Sequence, residues 1–353
     1  MPPLNTVLIA DDLTGSLDSI APFAALGMTC VTAVSLDALG AAIALAPQVL
    51  SVNLGTRELP PDQAQRRAAL AAKALKEAAG PGTIWIKKID SRLKGPIAAE
   101  LQGLTQVLPF ADVLLCPAIP ELGRFVSLGH LRGHGVAGEM PVAGTVALGL
   151  PCAVPDATSD ADLDRIAAEL RPGTLVAAAR GLSAALARRI GPARAPSPVQ
   201  LALGPIGFAV GSRDPVTLAQ VAQLRAEGGL AVISAPDGET PPWSAPGPFL
   251  LQATQGAGAT GDLVSARLAR GLIPGLTGLK TLLLTGGETA AAVLDAAGIG
   301  LLRVAGEVLP GLPLCHAIDR PDFPALITKS GGFGPPDTLL RLFLAAQSLE
   351  RLP

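Results

Sequence analysis

Thr6-Val7-Leu8-Ile9-Ala10-Asp11-Asp12-Leu13-Thr14-Gly15-Ser16-Leu17-Asp18 sets five apolar-run residues against two adjacent acids and then a helical pattern. The run Thr6–Ala10 predicts a buried strand and Gly15–Leu26 a helix packed on it. The same alternation continues outward. Cys30–Val34, Val49–Asn53, Thr83–Lys87 and Val113–Cys116 read as strands, and Leu36–Leu45, Asp62–Ala79 and Pro96–Val107 as helices. Repeated β-α-β units predict a mostly parallel sheet covered by helices on both faces. Ligands of such sheets gather beyond the carboxyl ends of the strands, where Asp11, Asp12, Lys88 and Asp90 all fall.

Pro117–Pro155 is rich in Gly and Pro and reads as irregular structure or a small β excursion. A helix at Asp160–Leu170, a strand at Leu175–Ala179 and a helix at Leu182–Ile190 follow. The prolines of 191–205 suggest a linker, dividing the chain into an α/β domain over 1–190 and a second over 206–353. In the second, strands are expected near Ile206–Val210, Ala231–Ser234, Phe249–Gln252, Thr281–Leu284 and Ala325–Thr328. Helices are expected at Pro215–Ala226, Thr260–Gly271, Thr289–Ala297 and Asp337–Leu349. The expected architecture is two α/β lobes with mostly parallel sheets and an active site in the cleft between them.

A net charge of −2 and no clustered basic run argue against nucleic acid as the main partner. Neither a signal peptide nor a membrane span is expected, and a cytoplasmic location follows from that reading. Cys30, Cys116, Cys152 and Cys315 form no CxxC pair and read as buried free thiols.

Adjacent carboxylates at a buried strand end need a cation or hydrogen-bond donors to hold them. Asp11 and Asp12 therefore read as ligand-gripping or proton-accepting groups, with a plain helix cap as the alternative. Lysine is scarce, yet Lys87, Lys88 and Lys94 fall within eight positions beside Asp90, marking a second wall of the same site. Arg57, just past the strand ending at Asn53, can clamp a substrate carboxylate or form a surface salt bridge. In the second domain three small-residue turns each follow a strand and precede a helix: Gly211-Ser212, Thr285-Gly286-Gly287-Glu288-Thr289 and Lys329-Ser330-Gly331-Gly332. Backbone N–H groups at such turns approach phosphate closely, pointing to a nucleotide. No GxxxxGK[ST] is present, so the site is not a P-loop. Gly256–Asp262 reads as a flexible turn. His130 and His134 sit among glycines that oppose a helix and make a poor zinc pair.

Together these segments resemble the four-carbon acid sugar kinase family, which includes D-threonate, D-erythronate and 3-oxo-tetronate kinases. The match rests on ADDLTGSLD (10–18), KKIDSRLKG (87–95), CPAIPELGR (116–124), Gly211-Ser212 with Gln220, TGGETA (285–290), GEVLPGLP (306–313) and KSGGFG (329–334). The resemblance implies an N-terminal lobe for the acid sugar and a C-terminal lobe for ATP, with Mg²⁺ bridging the phosphates and lobe closure on binding. With the placement of the charges, Asp12 or Asp11 is expected to hold and deprotonate the attacking hydroxyl as the catalytic acid pair, and Arg57, Lys88, Asp90 and Arg124 to bind the substrate. Ser212, Gly286, Gly287, Glu288, Thr289, Gly331 and Gly332 would bind ATP. No metal ligand is assigned, and a homo-oligomer is left open. Two features depart from the family: Arg92 and Lys94 replace a Thr and an Arg of its motif, and the stretch after Gly144-Thr145 is shortened. A kinase of altered acid specificity and a non-catalytic sugar-acid or nucleotide sensor stand as alternatives. A nicotinamide dehydrogenase is opposed by the two acids where a pyrophosphate would sit.

Overall fold

The computed structural model describes residues 4–146, 148–193, 199–244 and 247–348. The chain forms two compact units, Met1–Ser197 and Pro198–Pro353. Of the stretch read as a linker, residues 194–198 lie outside the described residues, as do Ala147 in the shortened segment and Leu349 at the end of the last expected helix.

Unit 1 contains strands β1 (Leu4–Ala10), β2 (Cys30–Ala33), β3 (Val49–Asn53), β4 (Ala79–Lys88), β5 (Asp112–Cys116), β6 (Arg124–Ser127), β7 (His130–Gly133), β8 (Met140–Pro141), β9 (Cys152–Ala153) and β10 (Thr174–Ala178). Its helices are α1 (Leu13–Ala25), α2 (Leu39–Ala44), α3 (Pro61–Lys76), α4 (Ile97–Val107), α5 (Asp160–Glu169) and α6 (Arg180–Ile190). The main sheet runs β2-β3-β1-β4-β10-β5-β9, parallel throughout. The central β1 is apolar and almost wholly buried, as expected of a strand covered on both faces. Helix α1 is buried nearly all round and carries Asp18 into the interior.

Register places the chemistry. Ala10 pairs with Asn53 on one side and Lys88 on the other, so β1, β3 and β4 end at the same level. The loops that leave these three ends carry Asp11, Arg57 and Asp90. The β excursion expected after Pro117 is a small antiparallel sheet of β6, β7 and β8, turning through Leu128 and Gly129, both left-handed.

Unit 2 contains β11 (Ile206–Val210), β12 (Ala231–Pro236), β13 (Phe249–Thr254), β14 (Thr281–Thr285), β15 (Leu301–Leu309), β16 (Leu312–Ala317) and β17 (Ala325–Lys329), with helices α7 (Pro215–Glu227), α8 (Gly261–Leu272), α9 (Gly287–Ala296) and α10 (Thr338–Gln347). Strands β12-β13-β11-β14-β17 are parallel, and β16 and β15 continue the sheet antiparallel. That hairpin lies outside the sequence expectation, because Gly306, Pro310 and Pro313 break the alternation by which a strand is read. The core under α7 and α10 includes Phe208, Leu250, Leu283, Ile327, Leu339 and Phe343.

One expectation needs correcting. Cys30, Cys116 and Cys315 are buried free thiols, but Cys152 is exposed, because β9 is a two-residue edge strand. Among the described residues no helix is long and apolar enough to cross a membrane.

Candidate functional site

Asp12 is the N-cap of α1: its extended backbone turns the chain into the helix, and its Oδ1 accepts from Gly15 N at 2.7 Å. Its Oδ2 accepts from Thr14 Oγ1 at 3.1 Å and from Arg57 Nη1 at 2.8 Å. Asp11, one residue back, is almost wholly buried. Arg57 meets it edge-on, Nε donating to Oδ2 at 2.7 Å and Nη2 to Oδ1 at 2.9 Å. Such parallel charge-assisted bonds are the strongest form of this pairing. Arg57 Nη1 also lies 3.6 Å from Asp90 Oδ2. One guanidinium thus ties together the acids of two strand-end loops, and its fork is turned onto Asp11 instead of standing open for a substrate carboxylate.

Burial alone would raise the Asp11 carboxyl, but Arg57, Lys87 and Lys88 together hold it below the ordinary carboxylate value. For Asp18 burial prevails: it pushes the carboxyl up to about 6 against the opposing charges of Lys88 and Arg180 and the hydrogen bond from Ser19 Oγ.

The two consecutive lysines diverge, as neighbours on a strand must. Lys87 is fully buried, with Nζ 3.1 Å from Glu100 Oε2, while Thr56 Oγ1 donates to Glu100 Oε1 at 2.6 Å. Lys88 turns to the α1 side; a Cβ on Gly15 would lie 3.0 Å from its Nζ, so glycine leaves room there for the ammonium. Asp90 Oδ1 accepts from Arg92 N at 2.8 Å, shaping a loop in which Leu93 takes a left-handed φ of 58°. Gly95, also left-handed, leaves space against Asp11 Oδ2, where a Cβ would stand at 3.1 Å. Arg124, on β6, is buried and donates to Ser91 Oγ at 2.8 Å and His134 O at 2.9 Å.

The structure therefore brings Asp11, Asp12, Arg57, Lys88 and Asp90 together, and links Arg124 to them through Ser91. Glu100 and Thr56, beneath the site, are absent from the sequence reading. An acid in a helix otherwise facing apolar neighbours is the only local signal for Glu100.

In unit 2 the register again aligns turns. Val210 pairs with Thr285, and Thr285 with Lys329, so the turns after β11, β14 and β17 leave at one level. They interlock tightly. A Cβ on Gly211 would overlap Thr289 Oγ1, and one on Gly331 would fall 2.7 Å from Ser212 Oγ. Gly286, the N-cap of α9, has φ 92°, which a side chain resists. Gly287 and Glu288 open α9, with Glu288 exposed, so backbone donors and the positive helix end face the same turn. Lys329 points inward: Nζ donates to Thr217 Oγ1, Ser330 O and Gly331 O, and burial lowers its ammonium to about 8. It organises the Gly331-Gly332 turn. Gln220 does the same, donating from Nε2 to the carbonyls of Phe333, Gly334 and Pro335.

The segment read as a flexible turn, Gly256–Asp262, is held in place. Asp237 Oδ2 accepts from Gly258 N at 2.8 Å and Ala259 N at 3.2 Å, and a Cβ on Gly261 would lie 2.9 Å from Glu288 Oε2. It forms a fourth glycine turn beside α9. Among the described residues no cluster of three or more His, Cys, Asp or Glu forms a metal site, His130 and His134 included.

A strand-end cluster of acids and cations in one α/β unit, and four glycine turns in the other, define a protein that binds a polar small molecule and a phosphate-bearing one. Comparisons with known proteins agree. Residues 6–146 match a sugar-binding N-terminal domain and residues 249–339 a nucleotide-binding C-terminal domain. The chain is 30% identical to a D-threonate kinase of Bordetella bronchiseptica, covering 97% of each chain. It is 29% identical to a D-threonate kinase of Cupriavidus necator (94% and 95% covered) and 27% identical to a 3-oxo-tetronate kinase of Methylobacterium radiotolerans (93% and 96%). The chain belongs to the four-carbon acid sugar kinase family. A solved structure from Salmonella typhimurium LT2, described as a tRNA synthase, superposes with a TM-score of 0.72 at 21% identity over 98% and 99% of the two chains, a likeness of fold alone. The Bordetella alignment runs over 414 positions against 353 residues here, so the relatives carry segments this chain lacks.

Proposed function

We propose that the protein transfers the γ-phosphoryl group of ATP to a hydroxyl of a four-carbon sugar acid such as threonate, erythronate or 3-oxo-tetronate. The observation that carries this reading is the Asp11–Asp12–Arg57 cluster at the end of β1, within the segment that matches a sugar-binding domain. The nucleotide-binding match over 249–339 and the names of the relatives support it.

Asp12 accepts the proton of the attacking hydroxyl. A carboxylate offers about four lone-pair positions. Gly15 N, Thr14 Oγ1 and Arg57 Nη1 occupy three of them on Asp12, and its side chain retains 17% exposure against 2% for Asp11. Asp11 is the anchor that fixes Arg57, and through it Asp12. Lys88 and Asp90 bind the remaining hydroxyls and the charge of the acid, with Arg124 behind them. Ser212, Gly286, Gly287, Glu288, Thr289, Gly331 and Gly332 cradle ATP, because the glycines let the backbone N–H groups of these turns approach phosphate closely and the N-terminus of α9 favours the anion.

Mg²⁺ takes oxygen ligands, mostly phosphates and water with one or two carboxylates. Exposed Glu288, beside the glycine turns, fits that requirement and would hold it. When bound, the ion neutralises charge on the phosphates.

An ATP-coupled assay with the four-carbon acids, followed by mass analysis of the product, tests the reading. A gain of one phosphoryl group is expected, and ADP release without a phosphorylated acid would refute it.

A further inference from the structure

Among the described residues two lysine side chains are fully buried, and only one of them meets a carboxylate. Lys87 pairs with Glu100, whereas Lys329, the last residue of β17, forms no ion pair among the described residues. Asp214, the N-cap of α7, is the charged group that acts on Lys329, from beyond ion-pair distance. A buried cation left without a counter-charge is costly, and burial lowers this ammonium to about 8.

An ammonium has three N–H donors, and all three of Lys329 are engaged inside the protein. They go to Thr217 Oγ1 at 3.0 Å and to the carbonyls of Ser330 and Gly331 at 3.1 Å each. Thr217 Oγ1 donates in turn to Gly331 O at 2.8 Å, and Phe333 N to Ser330 O at 3.2 Å, closing the turn. The backbone carbonyl of Lys329 accepts from Gly286 N at 3.1 Å, so the same residue ties this turn to the N-cap of α9.

A trans peptide unit is planar, and its N–H points opposite to its C=O. The Ser330 and Gly331 carbonyls face the ammonium, so the N–H groups of Gly331 and Gly332 are directed away from it. Neither N–H donates to another group among the described residues, and both glycines are partly exposed. Successive N–H groups in a turn make an anion-binding concavity.

We infer that Lys329 is a positioning residue. From beneath the turn it holds two carbonyls so that Gly331 N and Gly332 N face a phosphate of ATP, and its ammonium is the counter-charge to that phosphate across the peptide layer. The inference rests on the reading of this unit as the one that binds ATP for the kinase reaction.

Calorimetric titration of ATP with Mg²⁺, without an acid acceptor, tests it. Runs at about pH 8 in two buffers of different ionisation enthalpy report the protons taken up on binding, with the phosphates already ionised. A phosphate at the turn makes the ammonium hold its proton more tightly. The unaltered protein is therefore expected to take up as much as about half a proton per ATP, and to bind ATP more weakly as pH rises from about 7.5 to about 9.5. Lys329→Met should bind ATP about tenfold or more weakly and without uptake. The uptake is read on the unaltered protein, so it decides the matter even if Lys329→Met does not fold. ATP binding without uptake, uptake that persists in Lys329→Met, unchanged ATP affinity in that variant, or no ATP binding at all would each overturn the inference. ATP bound with uptake but never transferred to an acid refutes the kinase reading and leaves the role of Lys329 standing; phosphorylation without uptake does the reverse.

Discussion

Arg57 lies edge-on to Asp11, its Nε 2.7 Å from Oδ2 and its Nη2 2.9 Å from Oδ1, while its remaining nitrogen reaches Asp12 Oδ2 at 2.8 Å. The pairing explains how two adjacent carboxylates persist at the end of a buried strand. It also gives them different work: Asp11 is enclosed, and Asp12 keeps an open edge.

Replacing Arg57 with Ala leaves Asp11 buried without its main counter-charge. Breaking such a pair costs about 3–5 kcal/mol. Urea unfolding at pH 7 should show a loss of that order. Arg57→Lys should recover only part of it, since an ammonium cannot bond both carboxylates in parallel.

Asp12→Asn keeps an acceptor for Gly15 N but removes the base. A drop in kcat of about 10²–10⁴-fold is expected, with KM for the acid changed far less. Steady-state kinetics with saturating ATP check this, and a circular dichroism spectrum like that of the unaltered protein separates it from unfolding.

Asp18 sets a pH dependence of its own. Its folded carboxyl titrates at about 6, against 3.8 when unfolded. The folded state therefore holds this proton more tightly, and the contribution of Asp18 to stability declines as pH rises from about 4 to 6. Asp18→Asn should raise the unfolding midpoint at pH 7.5 and leave it nearly unchanged at pH 3.5. Asp11 acts in the opposite sense. Its folded value lies below 3.8, so its contribution is full above that value and is lost as pH falls through the depressed one.

Lys87 and Glu100 form a fully buried ion pair under the cluster. Glu100→Gln should destabilise by about 3–5 kcal/mol by stranding the ammonium, and Lys87→Met combined with Glu100→Gln should recover a large part. A double-mutant cycle of unfolding free energies reads this coupling.

Gly211→Ala should weaken ADP binding about tenfold or more, because the added methyl group forces apart the turn and Thr289, and overpacking of this kind costs about 1–3 kcal/mol. Thr289→Ala in the same chain removes the overlapping Oγ1 and should restore part of the affinity, as measured by calorimetry.

The parallel sheets were legible because their strands are continuous apolar runs, and the clustering of the candidate site residues because Asp11, Asp12, Lys88 and Asp90 stand at the ends of such runs. What stayed hidden depended on partners distant in sequence. Nothing local separates Lys87, turned inward to Glu100, from Lys88, turned to α1. Nothing near Arg57 announces that its fork closes on Asp11. Gly256–Asp262 looked like one glycine-rich stretch among many, and only the bonds from Asp237 reveal it as ordered. The β15–β16 hairpin was masked by prolines that the sequence places inside it.

Transfer of a phosphoryl group to a four-carbon acid at the Asp12 site leaves a product that can be weighed. The protein is incubated with ATP, Mg²⁺ and each of D-threonate, D-erythronate and 3-oxo-tetronate, and the products are analysed by mass spectrometry. An acid heavier by one phosphoryl group is expected, formed with ADP and lost in Asp12→Asn. No phosphorylated product from any of the acids, or one formed equally well by Asp12→Asn, would contradict it.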